Sequence, residues 1–136
     1  MSASHRFEES DELRLVVCAE SFPAAAAEAG RALAELAGQA EPSETPGNGW
    51  TEIEVGAGDR PALLVEWINE LIFRAESEGW LGIDFQMLET SPNRLRAKVR
   101  GMSWPSRSFP VKAATLDRAR VVDSPDGVTA EVTLDV

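Results

Sequence analysis

Pro61 to Glu76 reads PALLVEWINELIFRAE, and its apolar residues fall at Leu63, Leu64, Trp67, Ile68, Leu71, Ile72 and Ala75. A double row at i, i+4 and i+1, i+5 is one broad helical face sustained along the whole stretch. Asp59 is placed to cap the first turn, and Pro61 falls where its missing N–H costs no internal hydrogen bond. Gly79 is placed to end the helix after Glu76-Ser77-Glu78. Glu70 and Arg74, four residues apart on the outer side, add only about 0.2–0.5 kcal/mol. This helix is therefore held by what its apolar face packs against, and the rest of the chain must supply that surface.

Most of the surface reads as strand. Asp11 to Cys18, DELRLVVC, sets Leu13, Leu15 and Val17 against Glu12, Arg14 and Val16, a strand with one buried face. Residues 1–10 before it are polar and are expected to be loose. Ser21 is placed to cap a helix with Pro23 in its first turn. Phe22, Ala25, Ala26, Ala29, Leu33 and Leu36 line one side of this helix to about Gln39, and its alanines allow close packing. Glu41 to Gly49 holds prolines and glycines without periodicity and reads as a loop. Trp50 to Val55 is a strand with Ile53 and Val55 inward.

After the Pro61 helix the pattern is strand only. Trp80 to Glu89 alternates through Leu81, Ile83, Phe85 and Met87, Ser91-Pro92-Asn93 is a turn, and Arg94 to Gly101 alternates through Leu95, Ala97 and Val99. Met102 to Pro110 is an irregular connection. Val111 to Val122 and Val128 to Val136 form a hairpin across Ser124-Pro125-Asp126-Gly127. The order β-α-β-α-β-β-β-β predicts a single α+β domain over residues 1–136, a two-layer sandwich with both helices on one face of a largely antiparallel sheet.

Composition narrows the function. The chain has 136 residues, of which 26 % are charged and 43 % hydrophobic, ordinary values for a folded domain with a real core. No apolar run reaches the ~20 residues that span a bilayer, and the start, MSASHRFEESDE, has no apolar segment of the secretory kind. The single cysteine, Cys18, excludes an internal disulfide and a cysteine zinc cage, and its apolar setting suggests a buried small hydrophobe. Together these favour the cytoplasm. A net charge of −10 opposes autonomous binding to nucleic acid, which needs basic residues on phosphates, and leaves carboxylates to hold a cation or meet a basic partner.

The chemistry available is limited. Gly47-Asn48-Gly49 is too short for a phosphate loop and no lysine follows it. His5 is the only histidine, so a histidine triad or histidine zinc site is not available. Three features remain. Glu8, Glu9, Asp11 and Glu12 cluster hard oxygen ligands suited to calcium or magnesium, although such a run is commonly just solvated. Asp135 brings a carboxylate beside the main chain of Val136, and a frayed surface aspartate is the plainer account of it. Arg94, Arg96, Lys98 and Arg100, joined by Arg118 and Arg120, form a basic stripe for RNA or an acidic partner, with cross-strand pairing to Glu131 and other carboxylates as the plainer account.

Two stretches together resemble the archease family, the small accessory proteins of the RNA ligase that joins tRNA halves in tRNA splicing. Leu64-Val65-Glu66-Trp67-Ile68-Asn69-Glu70-Leu71-Ile72-Phe73 is similar to the family's L-V-E-W-L-N-E-L-L-Y signature, and Val111-Lys112-Ala113-Ala114-Thr115 matches its V-K-A-x-T. Leu134-Asp135-Val136 is similar to its terminal hydrophobic-Asp-hydrophobic tripeptide. The resemblance implies a non-enzymatic activator of a metal- and GTP-dependent RNA ligase that seals 3′-phosphate or cyclic-phosphate ends, acting by promoting guanylylation of that ligase. It implies a divalent cation, commonly Ca2+, held by Asp135, the main chain of Val136 and a first-strand carboxylate. Lys112 would act near the partner's active centre, where a compact cation can orient a triphosphate. No stable nucleic-acid contact and no membrane are implied.

The chain departs from the family at two points. Where the family opens with a D-H-T-A-D-like motif, this sequence has Glu8-Glu9-Ser10-Asp11-Glu12, so the metal-binding aspartate corresponds to Glu12, with Asp11 as the alternative ligand. After V-K-A-x-T, the family's Tyr-His is replaced by Leu116-Asp117. Two other readings follow: a divergent archease that has lost ligase activation, or a small-molecule-binding module in which Trp50, Trp80 and Trp104 line a pocket.

Overall fold

The computed structural model describes residues 3–38, 49–104 and 109–136. Among the described residues, seven strands and two helices run in the order β1 (Ser4–Glu9), β2 (Leu13–Ala19), α1 (Phe22–Leu36), β3 (Trp50–Gly56), α2 (Arg60–Glu78), β4 (Trp80–Ser91), β5 (Arg94–Ser103), β6 (Ala113–Ser124) and β7 (Gly127–Asp135). The α+β class and the antiparallel pairing are as the sequence predicts. The sheet, however, is two sheets: four strands in the order β1-β2-β7-β6, and three in the order β3-β5-β4. Both helices pack against both sheets.

The α2 helix is built as its sequence dictates. Asp59 Oδ1 accepts from the Ala62 N–H at 2.9 Å, Pro61 lies in the first turn, and Gly79 ends the helix in the left-handed region at φ 64°. Trp67, Leu63, Leu64 and Ile68 are almost wholly buried, and Glu70 pairs with Arg74 at 2.8 Å on the outer side. Trp67 also donates its indole N–H to the Ala26 carbonyl of α1 at 2.9 Å, which satisfies the one polar atom a buried tryptophan brings.

The α1 helix is capped by Ser21, whose Oγ accepts from the Ala24 N–H at 3.2 Å. It is buried on nearly every side rather than along one stripe, because alanines admit neighbours all round. Gly30 extends that logic: a Cβ there would stand 2.5 Å from the Phe85 ring of β4. Predicted to run to about Gln39, the helix ends at Leu36, and most of the expected Glu41–Gly49 loop lies outside the described residues.

Three expectations are corrected. Ser4 to Glu9, read as loose, is a strand paired with β2 through Ser4↔Cys18 to Glu9↔Leu13. Its inward positions are His5 and Phe7, and His5 is gripped by Glu28 and Glu35 of α1, a long-range anchor that local polarity conceals. Cys18 is half-buried rather than buried, its sulfur 3.8 Å from the Thr129 hydroxyl. In β6 the ladder breaks: Thr115 pairs with Thr133 and Arg120 with Glu131, so residues 116–119 stand opposite Val132 alone. This is an irregularity larger than the usual two-against-one bulge, with Arg118 held at φ 63°.

Candidate functional site

The register of the four-stranded sheet brings the separated sequence motifs to one end. Leu13 of β2 lies opposite Leu134 of β7, and Ala113 of β6 opposite Asp135. The residues just before β2, the end of β7 and the start of β6 are therefore neighbours. Asp11 and Glu12 occupy the β1–β2 hairpin loop, which is closed by a hydrogen bond from the Ser10 N–H to the Glu12 carbonyl at 3.1 Å. The Lys112 N–H donates to the Asp135 carbonyl at 2.7 Å, fixing the β6 start beside the β7 end.

A cleft of about 440 Å³ opens at this end, lined by Asp11, Glu12, Leu13, Thr115, Asp117, Thr133, Leu134, Asp135 and Val136. Glu12, Asp135, Val136 and the alternative ligand Asp11 thus border one cavity, whereas Glu8 and Glu9 of the same acidic run lie exposed on β1 and do not line it. Lys112 is at the same end and exposed, but is not part of the lining. Asp117 and Thr133 are additions that sequence reading did not assign to the site. Asp117 arrives by way of the β6 bulge, and the only sequence signal was the charged pair Asp117-Arg118 interrupting a strand's alternation.

The donor chemistry suits a hard cation. The lining offers four carboxylate side chains and two threonine hydroxyls, with no thiol or imidazole. All four carboxylate residues are exposed. Among the described residues no group of three or more His, Cys, Asp or Glu side chains stands close enough together to hold a metal ion by itself. Arg118 Nη1 lies 3.8 Å from Glu12 Oε2, an internal positive charge at the rim. Thr133 is the exception to the exposure: it is only 8 % exposed, and its Oγ1 has no hydrogen-bond partner.

The other proposed features resolve differently. The basic stripe is split between the sheets. On β5, Arg94 pairs with Glu54, Arg96 with Glu52 at 3.3 Å, and Arg100 with Asp84 at 2.8 Å. On β6, Arg120 pairs with Glu131 at 3.1 Å, which Arg14 also contacts at 3.3 Å. Cross-strand pairing is therefore the role these arginines play in the fold. The three tryptophans are engaged separately: Trp50 beneath the Arg100 guanidinium, Trp80 beneath that of Arg74, and Trp104 edge-on to Phe109. None of them lines the acidic cleft. At the far end of the same sheet, Arg60 grips Asp123 through two hydrogen bonds, at 3.1 and 2.7 Å, tying the start of α2 to the β6–β7 hairpin. That guanidinium holds the Asp123 carboxyl below its usual range.

No helix among the described residues is long and apolar enough to cross a membrane. No curated protein matches the chain. Among the solved structures that share its fold, two match over nearly the full length of both chains. One is an archease from Thermotoga maritima, TM1083, described as a possible chaperone, at 17 % identity with a TM-score of 0.63, covering 98 % of this chain and 100 % of that one. The other is protein 1598 of Methanobacterium thermoautotrophicum, at 18 % identity with a TM-score of 0.68, covering 99 % of each. The model of the Archease protein family (MTH1598/TM1083) matches residues 7–136, and the chain belongs to that family.

Proposed function

We propose that this protein is a non-enzymatic accessory factor that binds a divalent cation, Ca2+ by preference, and activates an RNA ligase of the 3′-phosphate or cyclic-phosphate type in tRNA splicing or RNA repair. The supporting observation is the convergence of Glu12, Asp135, Val136 and the Lys112 backbone at one end of the four-stranded sheet. These residues are far apart in sequence, and family resemblance singles them out independently of their proximity.

In this reading Glu12, Asp135 and the main chain of Val136 hold the cation, with Asp11 within reach as an alternative. When bound, the cation supplies positive charge that draws the exposed carboxylates together and orders the chain around them. Lys112, anchored through its backbone N–H to the Asp135 carbonyl and exposed at the same end of the sheet, would serve the ligase and its GTP during guanylylation. Cytoplasmic location and a ligase partner are part of the same proposal.

The reading is tested by following ligase guanylylation from GTP with and without this protein. Stimulation by wild type that Asp135→Asn and Lys112→Ala each reduce supports it. Absence of stimulation, or equal stimulation by wild type and both variants, counts against it.

A further inference from the structure

Thr133 poses a problem that the cation reading as stated does not solve. It lies on the side of β7 turned from the core, between Arg14 and Thr115 in register, yet it is buried and its Oγ1 has no partner. A buried hydroxyl without a hydrogen bond is unfavourable, and where one lines a cavity an ion or water is the usual explanation. The cavity it lines is the acidic cleft, and the same cleft holds Asp117, carried there by four residues of β6 that bulge outward opposite Val132. The Asp135 carbonyl at this site accepts from the Lys112 N–H at 2.7 Å.

We propose that Asp117 and Thr133 complete the cation site, Asp117 as a carboxylate ligand and the Thr133 Oγ1 as a neutral one. This rests on the cation reading above and assigns two ligands that it lacks. The donors would then come from the β1–β2 loop, the β6 bulge and β7, an oxygen-only set from three segments. Such a set suits Ca2+, which takes six to eight oxygens in flexible geometry, better than Mg2+, which demands a small octahedron. Arg14, the cross-strand neighbour of Thr133, pairs with Glu131 through Nη2 alone, and its buried Nε, like the Thr133 Oγ1, has no hydrogen-bond partner.

The experiment is calorimetric titration of Ca2+, and separately Mg2+, into chelator-treated protein, with thermal melts of each variant without cation. Wild type is expected to bind Ca2+ more tightly than Mg2+, and Asp135→Asn to abolish binding. Asp117→Asn should weaken Ca2+ at least tenfold. Thr133→Val should weaken it several-fold while leaving the cation-free melting temperature equal or higher, since it removes an unpartnered hydroxyl. If Asp135→Asn abolishes binding while Asp117→Asn and Thr133→Val stay within twofold of wild type, the inference is overturned and the cation reading stands. If wild type binds neither ion, the cation reading fails and the inference with it.

Discussion

Asn69 of α2 holds Ala114 of β6 by both sides of its peptide backbone: Oδ1 accepts from the Ala114 N–H at 2.7 Å, and Nδ2 donates to the Ala114 carbonyl at 3.2 Å. β6 is an edge strand, so these backbone groups would otherwise lack a neighbouring strand. The side-chain amide thus acts as a short substitute strand. It does so two residues from Lys112 and next to Thr115, which lines the acidic cleft. The signature helix and the candidate site are joined through this contact.

Asn69→Ala removes both bonds and leaves a buried residue's N–H and C=O unpaired, which costs about 1–3 kcal/mol. Urea denaturation should show that loss, and hydrogen exchange should show faster exchange at the Ala114 amide than across β2. A cost confined to a few tenths of a kcal/mol would mean that water replaces the asparagine.

His5 supplies a pH dependence. Its Nδ1 meets Glu28 at 2.6 Å and its Nε2 meets Glu35, while Arg31 holds the other Glu28 oxygen at 3.0 Å. Burial favours the neutral imidazole, but the hydrogen bonds and charges of the two glutamates outweigh it and raise the His5 pKa above 6.5. A raised folded-state pKa gives stability that is full below the unfolded value and is lost as pH rises through the folded one. The grip of α1 on β1 should therefore weaken above about pH 6.5, the ordinary histidine value. Denaturant midpoints measured from pH 5.5 to 8.5 should fall with pH in wild type, and more steeply than in His5→Ala. Parallel curves would contradict this.

Gly30→Ala sets two effects against each other. Alanine is a better helix former than glycine by about 1 kcal/mol. The new Cβ would stand 2.5 Å from the Phe85 ring, and overpacking of a core costs about 1–3 kcal/mol. Phe85 itself packs edge-on against buried Trp67 with ring centroids 6.1 Å apart, so it has little room to retreat. A net destabilisation is expected in thermal melts; a stabilised variant would show that the ring moves freely.

If Glu12 is a cation ligand as proposed, Arg118, whose Nη1 lies 3.8 Å from Glu12 Oε2, competes with the cation for it. Exposed ion pairs contribute about 0.2–1 kcal/mol, so Arg118→Ala should tighten Ca2+ binding by up to about fivefold. Calorimetry measures it directly. Weaker binding in this variant would mean that Arg118 positions Glu12 instead of competing for it.

How much of this was legible in the sequence follows from the range of the forces involved. The α2 face, its Asp59 cap and its Gly79 stop are local, and residue spacing alone displays them. Alternation displayed β2, β3, β4, β5 and β7 as strands, but it carries no record of partners. One sheet was therefore expected where the chain builds two. β1 was hidden because its anchor, His5, is held by glutamates more than twenty residues away on α1. The site divides likewise. Of the residues that line the cleft, Glu12, Asp135 and Val136 were singled out by family resemblance, whereas Asp117 depends on a bulge in β6 and Thr133 on burial that the solvent side of a strand does not suggest.

The central claim is that the Glu12, Asp135 and Lys112 end of the sheet serves a partner ligase. The direct measurement is the rate of guanylylation of the cognate ligase from GTP, compared without this protein, with wild type, and with folded Lys112→Ala or Asp135→Asn. The account predicts stimulation by wild type and a large loss of that stimulation in both variants. Undiminished stimulation by both variants, or no stimulation by wild type, would contradict it.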